Sequence, residues 1–263
     1  MTPRLLRQST KILVVNPNSS ESMTHGVEEA IRRMKLADNT EIYPYTAPKE
    51  SPVSINTGED VAFSADVVHA DLRGKLADYD AVLVACYSVH PLVQRLARDN
   101  PHLAVTGIFE ASVLATLSLL GPPNDDQGEE ERMWGVVTTG KFWEQHLSDG
   151  VKQFLGQKKE EENFKFGGAE TTGLNAGDFH GGVDPAVIRQ KLKEATQRLL
   201  SKGSVGCVVM GCAGMAGLED IIRDATREKY GNELAEKLFV VDGVLAGVGL
   251  LETTVKNRRM FRH

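Results

Sequence analysis

Short β-branched runs closed by turn residues alternate along the chain with stretches whose apolar positions recur every three or four residues. Ile12 to Val15 is such a run and ends in Asn16-Pro17-Asn18-Ser19-Ser20. Beyond it Met23, Val27, Ala30, Ile31 and Met34 fall on one face at a period of about 3.6, which predicts a helix. Ala81 to Ala85 predicts a buried strand. Pro91 suits the first turn of the helix after it, and Asn100-Pro101 closes that helix. Leu103 to Val105 predicts another strand, followed by a helix around Ala111 to Leu120 that Gly121-Pro122-Pro123 stops. The polar, acidic stretch from Asn124 to Arg132 reads as a solvated connection. A second series then begins with a strand at Trp134 to Val137 and a helix marked by Trp143, Leu147, Val151 and Phe154. Asp184 caps and Pro185 opens a further helix, with Ile188, Leu192, Ala195 and Leu199 facing inward and Gly203 ending it. Val205 to Met210 and Leu238 to Val241 complete the strands. Strands alternating with helices predict an α/β protein with a mostly parallel sheet in each half.

The halves resemble each other. KILVVNPN in the first matches MWGVVTTG in the second, AVLVACYS matches CVVMGCAG, and AVTGIFEAS matches VVDGVLAG. Asn16 lies 70 residues before Cys86, and Thr138 lies 74 before Cys212. Three motifs paired in one order point to a duplicated lobe with pseudo-twofold symmetry. Ligands of open parallel sheets sit beyond the carboxyl ends of the strands. Two such lobes facing each other would enclose one site in the cleft between them, lined by Asn16, Cys86, Thr138 and Cys212. The expected division is residues 11–120 with 244–263 as the first lobe, 121–243 as the second, and 1–10 as a flexible arm.

Composition narrows the functions open to such a molecule. The 263 residues suffice for two fused lobes of about 110–130 residues each. Lys plus Arg number 30 against 36 for Asp plus Glu, a net charge of −6, and the basic residues are scattered, so no nucleic-acid partner is expected. No apolar run approaches the roughly 18–20 residues of a membrane span, so no membrane partner is expected either. MTPRLLRQST at the start has two arginines and no acid, as a mitochondrial presequence can, but it runs directly into a strand and reads as a frayed arm. Three cysteines make no disulfide framework, which predicts a reducing, cytoplasmic setting.

Two of those cysteines are the candidate chemistry. Cys86 and Cys212 each end an apolar strand at the turn toward a helix, where the backbone dipole is expected to lower a thiol's pKa. Cys207 lies inside a strand run and reads as a small buried hydrophobe. With no C-x-x-C and no ligand spacing, redox and zinc roles fit poorly, and no metal is expected. Two thiols of opposite protonation, one on each face of a carbon acid, have what racemisation requires: a base on one side and an acid on the other. Asn16, Thr138, Thr139 and the loop amides after the cysteines would hold the substrate and receive developing charge. Asn18, Ser19 and Ser20 fit turn chemistry and helix capping equally well. His90, four residues after Cys86, could pair with it as a base, though Pro91 places it at a helix start.

At these residues the sequence resembles the aspartate/glutamate racemase superfamily, and within it the hydantoin and allantoin racemase branch. NPNSSESMT at 16–24, VVTT at 136–139 and GCAGMAGL at 211–218 carry the resemblance. It implies two pseudo-symmetric Rossmann-like lobes and a homo-oligomer without cofactor or metal. The two facing cysteines would be Cys86 and Cys212, and a C-terminal helix, Val244 to Val255, would pack back on the first lobe. Amino-acid racemases of the superfamily carry Asp-Ser-Gly in the first turn, with Asn-Thr and Thr-His or Thr-Glu after their cysteines. This chain has Asn16-Pro17-Asn18, Tyr87-Ser88 and Ala213-Gly214 there. A neutral polar cleft suits a cyclic ureide better than a free amino acid, whose charges want charged partners. Bacterial hydantoin racemases read Cys-aromatic-Gly-Asp-Pro after the first cysteine. Tyr87-Ser88-Val89-His90-Pro91 stands here instead, which looks like a fungal-type variant. The expected substrate-binding set is therefore Asn16, Tyr87, Ser88, Thr138, Thr139, Ala213 and Gly214, around C5 of a substituted hydantoin or allantoin. Within the enzyme class the alternatives are an amino-acid racemase, another isomerase, a decarboxylase (which would need only one thiol) or a cysteine hydrolase. Outside it stands a non-catalytic ligand-binding protein.

Overall fold

The computed structural model describes residues 9–121 and 132–261. The expected arm at 1–10 and the connection at 124–132 lie outside the described residues except at their inner ends. There Thr10 already begins the first strand and Arg132 adjoins the fifth. In chain order the first half runs β1 (Thr10–Asn16), α1 (Glu21–Arg32), β2 (Thr40–Thr46), α2 (Gly58–Leu72), β3 (Ala81–Val84), α3 (Pro91–Asp99), β4 (Ala104–Gly107) and α4 (Ile108–Leu120). The second runs β5 (Met133–Thr138), α5 (Phe142–Phe154), β6 (Phe166–Thr171), α6 (Pro185–Leu200), β7 (Val205–Gly211), α7 (Glu219–Tyr230), α8 (Asn232–Lys237), β8 (Phe239–Asp242) and α9 (Gly243–Phe261). Single 3₁₀ turns stand at Ala176–His180 and Ala213–Met215.

Both halves form four-stranded, all-parallel sheets in the same order, β2-β1-β3-β4 and β6-β5-β7-β8. The likeness of the two halves therefore extends from sequence motifs to topology. The central strands β3 (AVLV) and β7 (VGCVVMG) are buried along their whole length, as parallel strands covered on both faces are. Their continuous apolar runs are why they stand out in the sequence. The outer strands β2 and β6 do not. TEIYPYT carries Pro44 and is half-exposed, and FGGAET carries two glycines, so neither shows the pattern of a buried strand.

The last helix of each half crosses to the other. α4 packs on β7 and β8 of the second sheet, while α9 packs on β4, β3 and β1 of the first, and the two helices cross each other. Thr116 of α4 stands 3.6 Å from the Cys207 sulfur in β7. Gly247 of α9 lies so close to Leu83 that a side chain there would collide with it. The expected first lobe, 11–120 with 244–263, already carries α9 against the first sheet; α4 in turn reaches across to the second. One apolar core accordingly runs from Ile12 and Leu83 through Phe109 and Trp134 to Val209 without a break between the halves. Two lobes sharing a core hold a fixed relative position, which a site between them needs. Within the described residues no helix is long and apolar enough to cross a membrane.

Candidate active site

The carboxyl ends of four strands meet where the lobes face each other. Val15 of β1 pairs with Val84 of β3, and the Ala85 N–H continues the ladder to the Val15 carbonyl at 2.8 Å, so Cys86 emerges beside Asn16. In the other lobe Thr138 of β5 pairs with Gly211 of β7, so Cys212 emerges beside Thr139. Between them is a recess of about 450 Å³, open mouth included, and both sulfur-bearing residues line it. Asn16, Tyr87, Thr139, Ala213 and Gly214 line it with them. Thr138 and Ser88 do not. Thr138 Oγ1 donates to the Gly211 carbonyl at 2.7 Å, locking strand to strand, and Ser88 is fully buried with its hydroxyl 3.5 Å from the Cys86 sulfur.

Asn16 forms the frame of the turn. Its side-chain N–H groups donate to Asn18 Oδ1 at 2.9 Å, to the Ser20 carbonyl at 3.1 Å and to Thr24 Oγ1 at 3.0 Å, while its Oδ1 accepts from the Asn18 N–H at 3.3 Å. These bonds tie the end of β1 to the first turn of α1, where Ser20 caps by accepting from the Met23 N–H. With its donors engaged, Asn16 shapes the recess more than it offers hydrogen bonds to a ligand. Asn16→Ala is expected to lose about 1–3 kcal/mol of folding stability, since it strands several buried groups at once, and a urea titration reads that loss.

Each remaining polar residue has a definite place. Tyr87 turns its hydroxyl inward to Ser112 Oγ at 2.8 Å and packs edge-on against Phe109. The Gly214 N–H donates to the Cys212 sulfur at 3.3 Å. Thr139 lines the recess, and its backbone carbonyl accepts from the Gly173 N–H at 3.0 Å. His90 is buried as the cap of α3. Its Nδ1 accepts from the Leu92 N–H, its Nε2 faces Ser64 Oγ at 3.1 Å, and burial pulls its pKa down to about 3. It is a neutral structural group and no base for Cys86.

The thiols do not follow the expected direction of pKa shift. Burial pushes Cys86 up to about 12 and Cys212 up to about 11. At Cys86 the Ser88 hydroxyl pulls the other way, and the negative charges of Cys212 and Glu110 add to the rise. At Cys212 the N–H groups of Gly214 and Met215 partly offset burial. The helix dipole loses because little helix is there to supply it. Cys212 caps a 3₁₀ turn of three residues, and four residues separate Cys86 from α3. Desolvation of a thiolate is the larger effect.

Residues that pattern alone does not mark complete the wall: Asn18, Met23 and Val27 from the α1 region, Ile55 from the β2–α2 loop, Trp143 from α5 and Ala176 from the second lobe. Met23 and Val27 read from the sequence only as a helix face, and Ile55, Trp143 and Ala176 reach the recess only through the tertiary fold. None of the described residues lining the recess carries a formal charge. The strand ends fit tightly around it. A methyl on Gly211 would stand 2.5 Å from Val136 Cγ1 and 2.8 Å from Thr138 Cβ, both in a buried strand. Gly211→Ala is expected to destabilise by about 1–3 kcal/mol, seen as a lower urea midpoint at unchanged slope.

Two parallel α/β lobes, each presenting a thiol to one shared recess, define the class. A model of the Asp/Glu/hydantoin racemase family matches residues 12–251, and the chain belongs to that family. A hydantoin racemase of Pseudomonas sp. is 30% identical over 246 residues, covering 93% of this chain and 86% of its own. The Schizosaccharomyces pombe protein C1F7.10 is 30% identical over 246 residues, covering 94% and 92%. The solved allantoin racemase of Klebsiella pneumoniae superposes with a TM-score of 0.73 at 25% identity, covering 95% of this chain and 89% of its own.

Proposed function

We propose that the protein racemises a cyclic ureide, a 5-substituted hydantoin or allantoin, by proton transfer between Cys86 and Cys212 at C5. The observation that carries this reading is a pair of thiols at equivalent strand ends of two like lobes, on one recess whose lining bears no formal charge. A thiolate on one face removes the C5 proton while the opposite thiol delivers one to the other face. The ring carbonyl takes up the charge between these steps, and the backbone N–H groups of Tyr87 and Ala213, residues that line the recess, would receive it. The Gly214 N–H is already engaged by the Cys212 sulfur and serves the thiolate instead. Thr139 and Asn18, whose Nδ2 donates one N–H to Met23 Sδ at 3.0 Å, are polar lining residues that would meet the ring. A zwitterionic amino acid would bring two charges into a lining that answers neither, which favours the neutral ring.

The test is polarimetric. Single enantiomers of allantoin and of several alkyl and aryl hydantoins are incubated with enzyme, with spontaneous racemisation subtracted. At least one should lose optical rotation without change of mass and take up one deuterium at C5 in D₂O. A mass change would mean ring opening or decarboxylation. Binding without loss of rotation would leave a ligand-binding protein.

A further inference from the structure

The turn Ala176–His180 belongs to the second half, yet it is wedged against the first. It is closed on itself: the Asn175 N–H donates to Asp178 Oδ2 at 2.7 Å, and the Asp178 N–H donates to the Asn175 carbonyl at 3.2 Å. At its start the Ala176 N–H donates to Asn56 Oδ1 of the β2–α2 loop at 3.3 Å. At its end stands His180, whose ring lies between α1 of the first half and the turn Ala213–Met215 that follows Cys212. Those three pieces, α1 and the two turns, pack on one another.

Two glycines make the slot for that ring. A methyl on Gly26, midway along α1, would stand 2.7 Å from His180 Cε1. One on Gly214 would stand 3.1 Å from His180 Nε2 and 3.1 Å from the Ala176 carbonyl oxygen. Neither glycine takes a left-handed φ, so what these positions use is the missing side chain and not backbone freedom. At Gly26 that comes at the expense of helix propensity, since alanine suits a helix interior better. Nε2 is buried without a hydrogen-bond partner, so the ring serves here by its bulk. On one side of the slot α1 is fixed, because Thr24 Oγ1 accepts from the Asn16 side chain at the end of β1 at 3.0 Å. On the other side Gly214 lines the recess and donates its N–H to the Cys212 sulfur at 3.3 Å. The ring itself stands behind that wall.

We infer that His180 is a positioning residue for Cys212: its ring is the spacer that sets the thiol turn of the second lobe against α1 of the first and holds the Gly214 N–H on the sulfur. The inference rests on the two-thiol reading above and adds to it how contact between the lobes reaches one thiol. A ring that merely filled space would stabilise the fold and affect both faces of C5 alike. A spacer that places the Cys212 turn acts on the Cys212 face, while Cys86, on the turn after β3, continues to work.

The experiment reads each face of C5 separately. Deuterium uptake at C5 is followed by proton NMR at saturating substrate in C86S, which leaves only Cys212 of the pair, and in C212S, which leaves only Cys86. His180→Ala should lower the exchange in C86S by roughly 10–100-fold, the effect of a displaced reacting group, and leave the exchange in C212S unchanged. Gly26→Ala, which displaces the ring rather than removing it, should act the same way and decides the matter if H180A fails to fold. In the double variant the new methyl enters the vacated slot, so part of the Cys212 exchange should return. Equal losses on both faces, no loss on either, or a further loss in the double variant each overturn the inference. A second measurement needs no turnover. Iodoacetamide labelling with peptide mass mapping should find Cys212 labelled several-fold faster in H180A than in the wild type, because its turn is released, with Cys86 unchanged. Unaltered Cys212 labelling overturns the inference as well. Selective release of Cys212 in a protein that exchanges nothing would sink the two-thiol reading alone, and a loss without preference for either face in an active racemase would sink this inference alone.

Discussion

Cys86→Ser and Cys212→Ser are each expected to lower kcat/KM for racemisation by roughly 10³–10⁴-fold, about 4–5 kcal/mol of transition-state stabilisation. A serine hydroxyl retains the volume of the thiol but ionises far above the working range, so it can serve neither as base nor, after giving up its proton, as a stable anion. The two single variants should not be equivalent. Each retains one functional thiol facing one side of C5. Each can therefore abstract and return a proton on that side, exchanging it for deuterium without inverting the centre. In D₂O, C86S should wash deuterium into one enantiomer and C212S into the other, followed by proton NMR at C5 alongside polarimetry. The double variant should do neither. Complete racemisation by either single variant would mean that one group reaches both faces, and the two-base scheme would be wrong. Loss of exchange from both enantiomers in one variant, with circular dichroism unchanged, would assign catalysis to a single thiol and bring back one-thiol chemistry.

What the sequence disclosed followed from burial. β3 and β7 are covered on both faces, so their apolar runs are continuous and the turns that close them are sharp; Cys86 and Cys212 stand at those turns. The matched motifs made the two positions comparable, and both sheets have the same strand order. The edge strands β2 and β6 and the helices α2 and α7 left weaker traces. Pro44 and the Gly167-Gly168 pair interrupt the strands, and α2 buries Ser64 among its inward residues, which blurs its periodicity. The reciprocal crossing of α4 and α9 has no local signal at all, since either helix would look the same packed on its own sheet. For the same reason Ile55, Trp143 and Ala176 are not visible as recess residues before the lobes are joined. The dipole argument failed for a related cause. It depends on how long the helix after each cysteine is and on how much water reaches the sulfur, and both are tertiary facts. Asn16 was legible as a recess residue, but the bonds that fix it were not. The side chain at the end of β1 is consumed in holding Asn18, Ser20 and Thr24.

Burial of the two thiols leads to the second large effect, a steep dependence of rate on pH. A thiol pushed up to about 11 is almost wholly protonated near neutrality, so the base form is scarce and grows tenfold with each pH unit. kcat/KM, corrected for the substrate's own ionisation, should rise about 100-fold from pH 8 to pH 10 without levelling. The falling limb comes only when the second thiol, pushed up to about 12, loses the proton it must donate. The apparent values belong to the coupled pair. Had the helix dipole prevailed, the profile would be flat above about pH 8. The same shifts bound the experiment from the other side. Thiols whose folded pKa is raised contribute stability that is complete below their unfolded value of 9.0. That contribution is lost as pH climbs from there toward 11–12. Rate should therefore climb while stability falls, and circular dichroism at each pH separates the two. A plateau reached while the protein is still folded, well below pH 10, would mean that water or a donor at the recess stabilises the thiolate more than its surroundings suppress it.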